Sequence, residues 1–577
     1  MMKLAKLLRA GIAVCFLGLA ISSSLLADEF KSIASLSIAS YNDIDGRVGA
    51  FLETVGFEEL HNVLAMITNG IDGIDRSKPV GFVLLSDGNE LLPFAFFPIA
   101  DIDALTCPGV EDLKEKLHYD SEKKTITIRN DEDAVADEPG SETELCLIEA
   151  NNWLFVTSPK FESILPTQTD PTDWLEGLDR EYLIGGVLHI DRVPDEVVDS
   201  LFSSLRVAAS KDESVAANLE NFSALADYIK TNLQSLEFGV AIDAKDGGVT
   251  FSSTAVPVPG SSYARSLEEN VNPVTRWSDF YDPAHSIFAA SRSEVLDSET
   301  SKFSKEQFDS LIETFFAVSQ SEDETEESNL AAFKGVVRDW QVWVDKNFDT
   351  GKTDAALSVG IDGTISLAAT IIDGNELLPL VERAFELLKK ELADEESTDV
   401  QKFLSSLKIN ANLYKGFSVS TFVVPFSDMD KNCAFLIGIK DDAFVLIAGV
   451  ADASAAKKVV SDLFKEKAGR ERAESEAAQG WVFSVPNLAK FAQTFDEVTA
   501  NEIAGSIVQK LSEGSDEAVI VGQTEYSAQQ CRQSVTIKKE LVKLICDTVQ
   551  QILQSVDENG GEAEEDAPES SNADDLF

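Results

Sequence analysis

From Cys433 to Lys467 the chain reads CAFLIGIK, DD, AFVLIAGV and then DASAAKKVVSDLFKEK. Two apolar runs joined by two acidic residues predict a β-hairpin. The segment behind it places Asp452 as N-cap and sets Ala455, Val459, Val460, Leu463 and Phe464 on one helical stripe. A hairpin alone is marginal in water, so the helix is expected to lie across it and bury its apolar face.

The pattern recurs along the chain. SLSIAS reads as a strand, GRVGAFLETVG and FEELHNVLAMI as helices, and GFVLLS with LLPFAFFPIA as a hairpin over DGNE. Pro93 and Pro98 place the second of those strands at an edge or a bulge. A helix near Val110 to Leu117 precedes the strands TITIRN, ELCLIEA and NWLFVTSP, the last two joined at Asn151 and Asn152. The strand LIGGVLHIDRV, two helices on either side of Ser210, the hairpin LEFGVAIDA with GVTFSSTAVPV and the helix SYARSLEEN follow. That order of strand, helix, helix, hairpin and helix returns from SIFAASR onward, with a hairpin over Asp362 and Gly363, and again from WVFSVP to LVKLICDTVQQIL.

The expected fold class is α+β. Tandem β-hairpin–helix units would form mixed or antiparallel sheets covered by helices, in two similar halves at 28–272 and 273–556. A signal peptide at 1–27 and a disordered acidic tail at 557–577 complete the division. Each unit is too small to bury its own apolar face, so sheets should continue from unit to unit.

Composition adds compartment and charge. Lys3, Lys6 and Arg9, an apolar run from Ala10 to Ile21 and a small-residue stretch before Asp28 read as an export leader. Cleavage after Ala27 or after Ser24 fits, and the product would be periplasmic, cell-surface or extracellular. The net charge is −52, and loss of the three leader cations takes it to −55. Nucleic acid is thereby excluded as a partner. The acids crowd into 131–144, 321–329 and 557–575, which suits solvation first and weak divalent-cation binding second.

Five cysteines follow the leader: Cys107, Cys146, Cys433, Cys531 and Cys546. An odd number cannot all pair, and local folding favours Cys107 with Cys146 and Cys531 with Cys546. Buried free thiols at Cys146 and Cys433 are the alternative.

The stretches DPTDWLEGLDREYLIGGVLHIDRVPDE, LEFGVAIDAKDGGVTFSSTAVPVPGS, TGKTDAALSVGIDG and GFSVSTFVVP resemble a family of uncharacterised exported proteins from planctomycete bacteria. The resemblance implies export and an α+β repeat, and no functional residue.

Candidate chemistry is sparse. His61, His118, His189 and His285 lack metal-ligand spacing, so no metal, cofactor or catalytic residue is assigned. Gly260-Ser261-Ser262-Tyr263-Ala264 lies between strand and helix like a nucleophile elbow with Ser262 as nucleophile. Ser261 or Ser262 as a plain helix N-cap is the stronger reading. Asp43 to Gly46 and Ile71 to Asp75 hint at calcium loops, but neither completes the ligand spacing, and Asx turns are expected there. Trp340 and Trp343 are expected in a core stripe with Phe333 and Val337.

The expectation is an exported, acidic, non-catalytic binding or structural protein with no span in the mature chain and an apolar or protein ligand. Calcium-dependent adhesion, carriage of an apolar ligand and a Ser262 hydrolase are the alternatives. The strands FVLL, LPFAFF, NWLFV, AFLIGI and AFVLIAGV show little clean alternation, so both sheet faces should be covered.

Overall fold

A computed structural model of the chain describes residues 30–57, 61, 73–86, 91–101, 117–120, 125–129, 142–165, 167, 169–195, 197, 227–243, 247–318, 324–393, 395–426, 431–451, 456–468, 475–476, 479–495 and 502–560. The expected leader at 1–27, residues 110–116 of the stretch expected to be helical, residues 561–577 of the expected tail and most of the acid-rich segment 131–144 lie outside them, whereas residues 557–560 belong to the last helix.

The first ten strands are β1 (Lys31–Ile38), β2 (Val80–Ser86), β3 (Leu91–Pro98), β4 (Leu117–Asp120) and β5 (Thr125–Arg129), then β6 (Glu142–Ala150), β7 (Trp153–Thr157), β8 (Ile184–His189), β9 (Leu233–Ile242) and β10 (Gly248–Pro257). After a two-residue β11 (Val274–Thr275) come β12 (Ser286–Val295), β13 (Lys352–Gly360), β14 (Ile365–Thr370), β15 (Lys408–Tyr414) and β16 (Phe417–Phe426). β17 (Lys431–Lys440), β18 (Ala443–Ala451), the short β19 (Ser475–Glu476), β20 (Gly480–Ser484), β21 (Val519–Tyr526) and β22 (Cys531–Lys538) complete the set.

The helices used below are α1 (Tyr41–Val55), α2 (Ser262–Glu269), α3 (Ser298–Val318), α4 (Glu324–Phe348), α5 (Gly374–Glu391), α6 (Thr398–Ser406), α7 (Ala456–Lys467), α8 (Val485–Ala492), α9 (Glu502–Ser512) and α10 (Lys539–Gly560). Their ends are written in the sequence. Ser40 Oγ accepts from Asp43 N at 3.1 Å to open α1, and Gly56 closes it at φ 83°.

Twenty of the strands form one sheet. Its pairings run β4-β5-β6-β7-β3-β2-β1-β8-β9-β10 and then β22-β21-β20-β12-β13-β14-β18-β17-β16-β15, every one antiparallel. Reading β12 to β18 and β20 to β22 in place of β1 to β10 converts the order on one side of the β10–β22 seam into the order on the other. The seam itself is continuous from Gly248↔Lys538 to Ala255↔Cys531. Helices cross it: α10, which follows β22, packs on α1, and α2, which follows β10, packs on α3.

This overturns the α+β layout of tandem hairpin–helix units forming mixed or antiparallel sheets covered by helices, because one antiparallel sheet takes the strands of all the units. A hairpin has two open edges, and each edge lowers its free energy by acquiring a strand. Here β3 takes β7, β14 takes β18, β1 takes β8 and β12 takes β20, all of them distant in sequence. The units therefore interleave within one sheet. The edge or bulge predicted for β3 is also wrong, since β3 pairs without a register shift to β2 and β7. Its prolines are tolerated because Pro93 precedes the first β7 pair, Phe94↔Thr157, and Pro98 forms the last.

Among the described residues, helices cover both faces toward the far end of the sheet. On one face Leu436 and Ile447 meet Val460 and Phe464 of α7. On the other Ile439 packs with Leu377 of α5 and Trp343 of α4. Trp340 packs against that cluster, whereas Phe333 is exposed at 42%. Near the opposite end Val83, Phe94, Phe96, Trp153 and Phe155 form a core closed by Phe161, Leu165 and Leu175. Each such side chain contributes about 1.5–3 kcal/mol by leaving water.

Candidate functional site

Among the described residues, one face of the sheet near the seam carries exposed apolar side chains. Residues directly opposite in an antiparallel pair share a face, so the register follows that face across strands. One row runs Ile184, Val240, Phe251, Val535, Gly522, Trp481, Ala290, Leu357 and Leu367. The neighbouring row runs Gly186, Phe238, Ser253, Gln533 and Thr524. Ile184, Phe238 and Phe251 are exposed at 47%, 51% and 48%, which is unusual for three large apolar side chains on adjacent strands.

Two helices bound the strip at opposite ends of β22. Leu541 and Leu544 of α10 pack on Ile520 and Ile537. At the other end Cys531 is buried close to Tyr263 of α2. Between them the floor sinks because small residues line it. Trp481 lies across Gly522, where an added Cβ would sit 2.2 Å from Nε1, and Phe238 lies across Gly186, where it would sit 2.5 Å from Cζ. Beside Trp481 lies a trough of about 300 Å³, lined by Ala290, Leu357, Leu367 and Trp481 with Arg292, Thr524 and Gln533.

The polar corner is organised by a charged pair on β12. Arg292 Nη2 lies 2.7 and 2.8 Å from the two carboxylate oxygens of Glu294, which is buried, and Tyr526 donates its hydroxyl to the same carboxylate at 3.1 Å. Burial pushes the Tyr526, Tyr263 and Tyr182 phenols above their ordinary range. On the opposite face Tyr182 lies under Gly239 and Gly185 and donates to Glu237 at 2.7 Å, tying β8 to β9 behind the exposed Ile184 and Phe238.

The residues singled out in the sequence lie elsewhere. Ser261 is the N-cap of α2, accepting from Ala264 N at 3.1 Å, and Ser262 is the first helical residue. Ser262 Oγ sits 2.8 Å from Asn232 Oδ1 and 2.7 Å from Glu299 Oε2, tying α2 to α3. The ring nitrogens of His285, His189 and His61 bond Asp282, Glu176 and Asp45 respectively, so none serves Ser262. The His118 side chain lies outside the described residues. Asp43 and Asp45 fall in α1 and not in a turn, whereas Asp75 does make an Asx turn to Ser77.

Cys146, Cys433, Cys531 and Cys546 are free thiols, which rules out the Cys531–Cys546 pairing and leaves Cys146 unpaired; Cys107 lies outside the described residues. Among the described residues no three His, Cys, Asp or Glu side chains form a metal-binding group, and no helix is long and apolar enough to cross a membrane. Comparison with known protein families, with curated proteins and with solved structures finds no match.

Proposed function

We propose that the chain is an exported, non-catalytic binding protein that carries an apolar ligand on the open face at the β10–β22 seam. The observation that carries this reading is the exposed cluster of Ile184, Phe238 and Phe251, on two adjacent rows whose strand register leads to the trough beside Trp481. Isolated apolar side chains at a surface need no explanation, but a contiguous set beside a hollow marks a ligand or partner surface. The N-terminal pattern and the resemblance to exported proteins support the compartment. The charge of −52 disfavours anionic ligands, phosphates and sulfated glycans among them, and equally disfavours self-association through this face.

The test is saturable binding of N-phenyl-1-naphthylamine, an uncharged apolar dye, to the mature protein. Wild type should bind it, and a Phe238→Gln, Phe251→Gln double variant should lose binding while keeping its melting temperature, because both side chains are half in water already. Equal binding by the variant, or none by wild type, would overturn the assignment.

A further inference from the structure

The polar corner of the trough says what kind of head group the ligand bears. We infer that the trough takes one amphiphile with an uncharged, hydrogen-bond-accepting head, such as an ester of a long-chain acid, and this rests on the binding reading above. The head lies against Arg292, Thr524 and Gln533, and the tail runs over Phe251 and Phe238 to Ile184.

Charge decides the head. Arg292 is 65% exposed, yet its charge is already matched, because Nη2 holds both oxygens of Glu294 and Glu294 is only 7% exposed. A carboxylate or phosphate arriving there would share one cation with a buried carboxylate, and like charges around a site disfavour the second ion. The guanidinium carries five N–H groups, more than its pairing with Glu294 and its neighbour Tyr526 can take up, so N–H groups remain for a neutral carbonyl or hydroxyl. Thr524 and Gln533 are opposite each other on β21 and β22 and present a hydroxyl and an amide on the same face. Gln479 does not belong to this set: its amide donates to Ser293 O and accepts from Ser293 N at 3.3 Å, and so fastens the chain leading into β20 to β12.

Length fits the tail. From Thr524 the row crosses Gln533, Ser253 and Phe238 to Gly186, four strand steps from β21 to β8. At about 4.8 Å per step this spans about 19 Å, the reach of an extended acyl chain.

The experiment is native mass spectrometry and tryptophan-emission titration of the mature protein with monoolein, oleate and phosphatidylcholine vesicles. One monoolein per chain is expected, bound about tenfold or more tightly than oleate. A Thr524→Val, Gln533→Leu variant should lose about tenfold in monoolein affinity, the worth of one or two hydrogen bonds, and with it the preference over oleate. Oleate binding as tightly as monoolein, or a variant that keeps the preference, would overturn the head assignment while leaving the binding reading intact. Co-sedimentation with vesicles without extraction of a lipid molecule would replace a carried amphiphile by a membrane surface and also overturn it. Failure of wild type to bind dye and monoolein alike would overturn both readings.

Discussion

Adding one methyl group at Gly522 probes the trough more sharply than removing any side chain. The Trp481 indole rests on this glycine, and a Cβ there would lie 2.2 Å from Nε1 and 2.3 Å from Cε2, well inside contact distance. In Gly522→Ala the indole must therefore move. Trp481 is half-buried and faces the open side, so it can swing outward instead of forcing the backbone apart. An off-rotamer tilt costs about 0.5–1.5 kcal/mol and general overpacking about 1–3, so the expected loss is about 1 kcal/mol, near the lower figure. The larger effect falls on the cavity, because an indole lifted off the floor enters the space a ligand would use. Guanidinium unfolding followed by circular dichroism measures the first effect, and dye titration the second. Unchanged stability together with unchanged dye affinity and tryptophan emission would show that Trp481 does not rest on Gly522, and the trough as described would be wrong.

Other expectations follow from the same packing. Gly46 in α1 and Gly335 in α4 have no heavy atom within 4 Å of an added Cβ, so Gly46→Ala and Gly335→Ala should each stabilise by about 0.5–1 kcal/mol in chemical denaturation. Burial raises the Tyr182, Tyr263 and Tyr526 phenols from an ordinary value near 10.0, so their contribution is intact below that pH and is lost above it as the unfolded chain releases protons first. Phenolate absorbance should therefore lag the unfolded titration, and melting temperature should fall above pH 10; coincident curves would contradict the burial. Peptide mapping after brief alkylation of the native protein should find Cys146, Cys433 and Cys531 unmodified and Cys546 modified, since only the last is partly exposed. Millimolar calcium should shift the melting temperature no more than monovalent salt at equal ionic strength, and a calcium-specific rise would point to adhesion instead.

Local features of this fold were legible because local rules decide them. Asn151 and Asn152 make a two-residue hairpin turn with φ of 53° and 63°, as that turn demands, and Gly363 takes φ 76° in the turn after Asp362. The Ser261 cap and the Trp343 stripe were readable for the same reason. Strand neighbours were not, because alternation specifies a face and says nothing about which distant edge a hairpin will take. Nor did the pattern reveal the open face: Phe238 and Phe251 read as ordinary members of LEFGVAIDA and GVTFSSTAVPV until helix placement left them bare. One part of the site did carry a signal. Arg292 and Glu294 stand two apart in a strand, hence on one face, and oppositely charged residues so placed within an apolar strand announce a paired corner.

Quenching of tryptophan fluorescence by a brominated monoacylglycerol tests the ligand seat directly. Trp153, Trp277 and Trp343 are buried in cores, whereas Trp481 lines the trough. Saturable quenching in wild type that disappears in Trp481→Phe is the predicted result. Quenching that persists in Trp481→Phe, or none in wild type, would contradict a ligand on the open face of the seam.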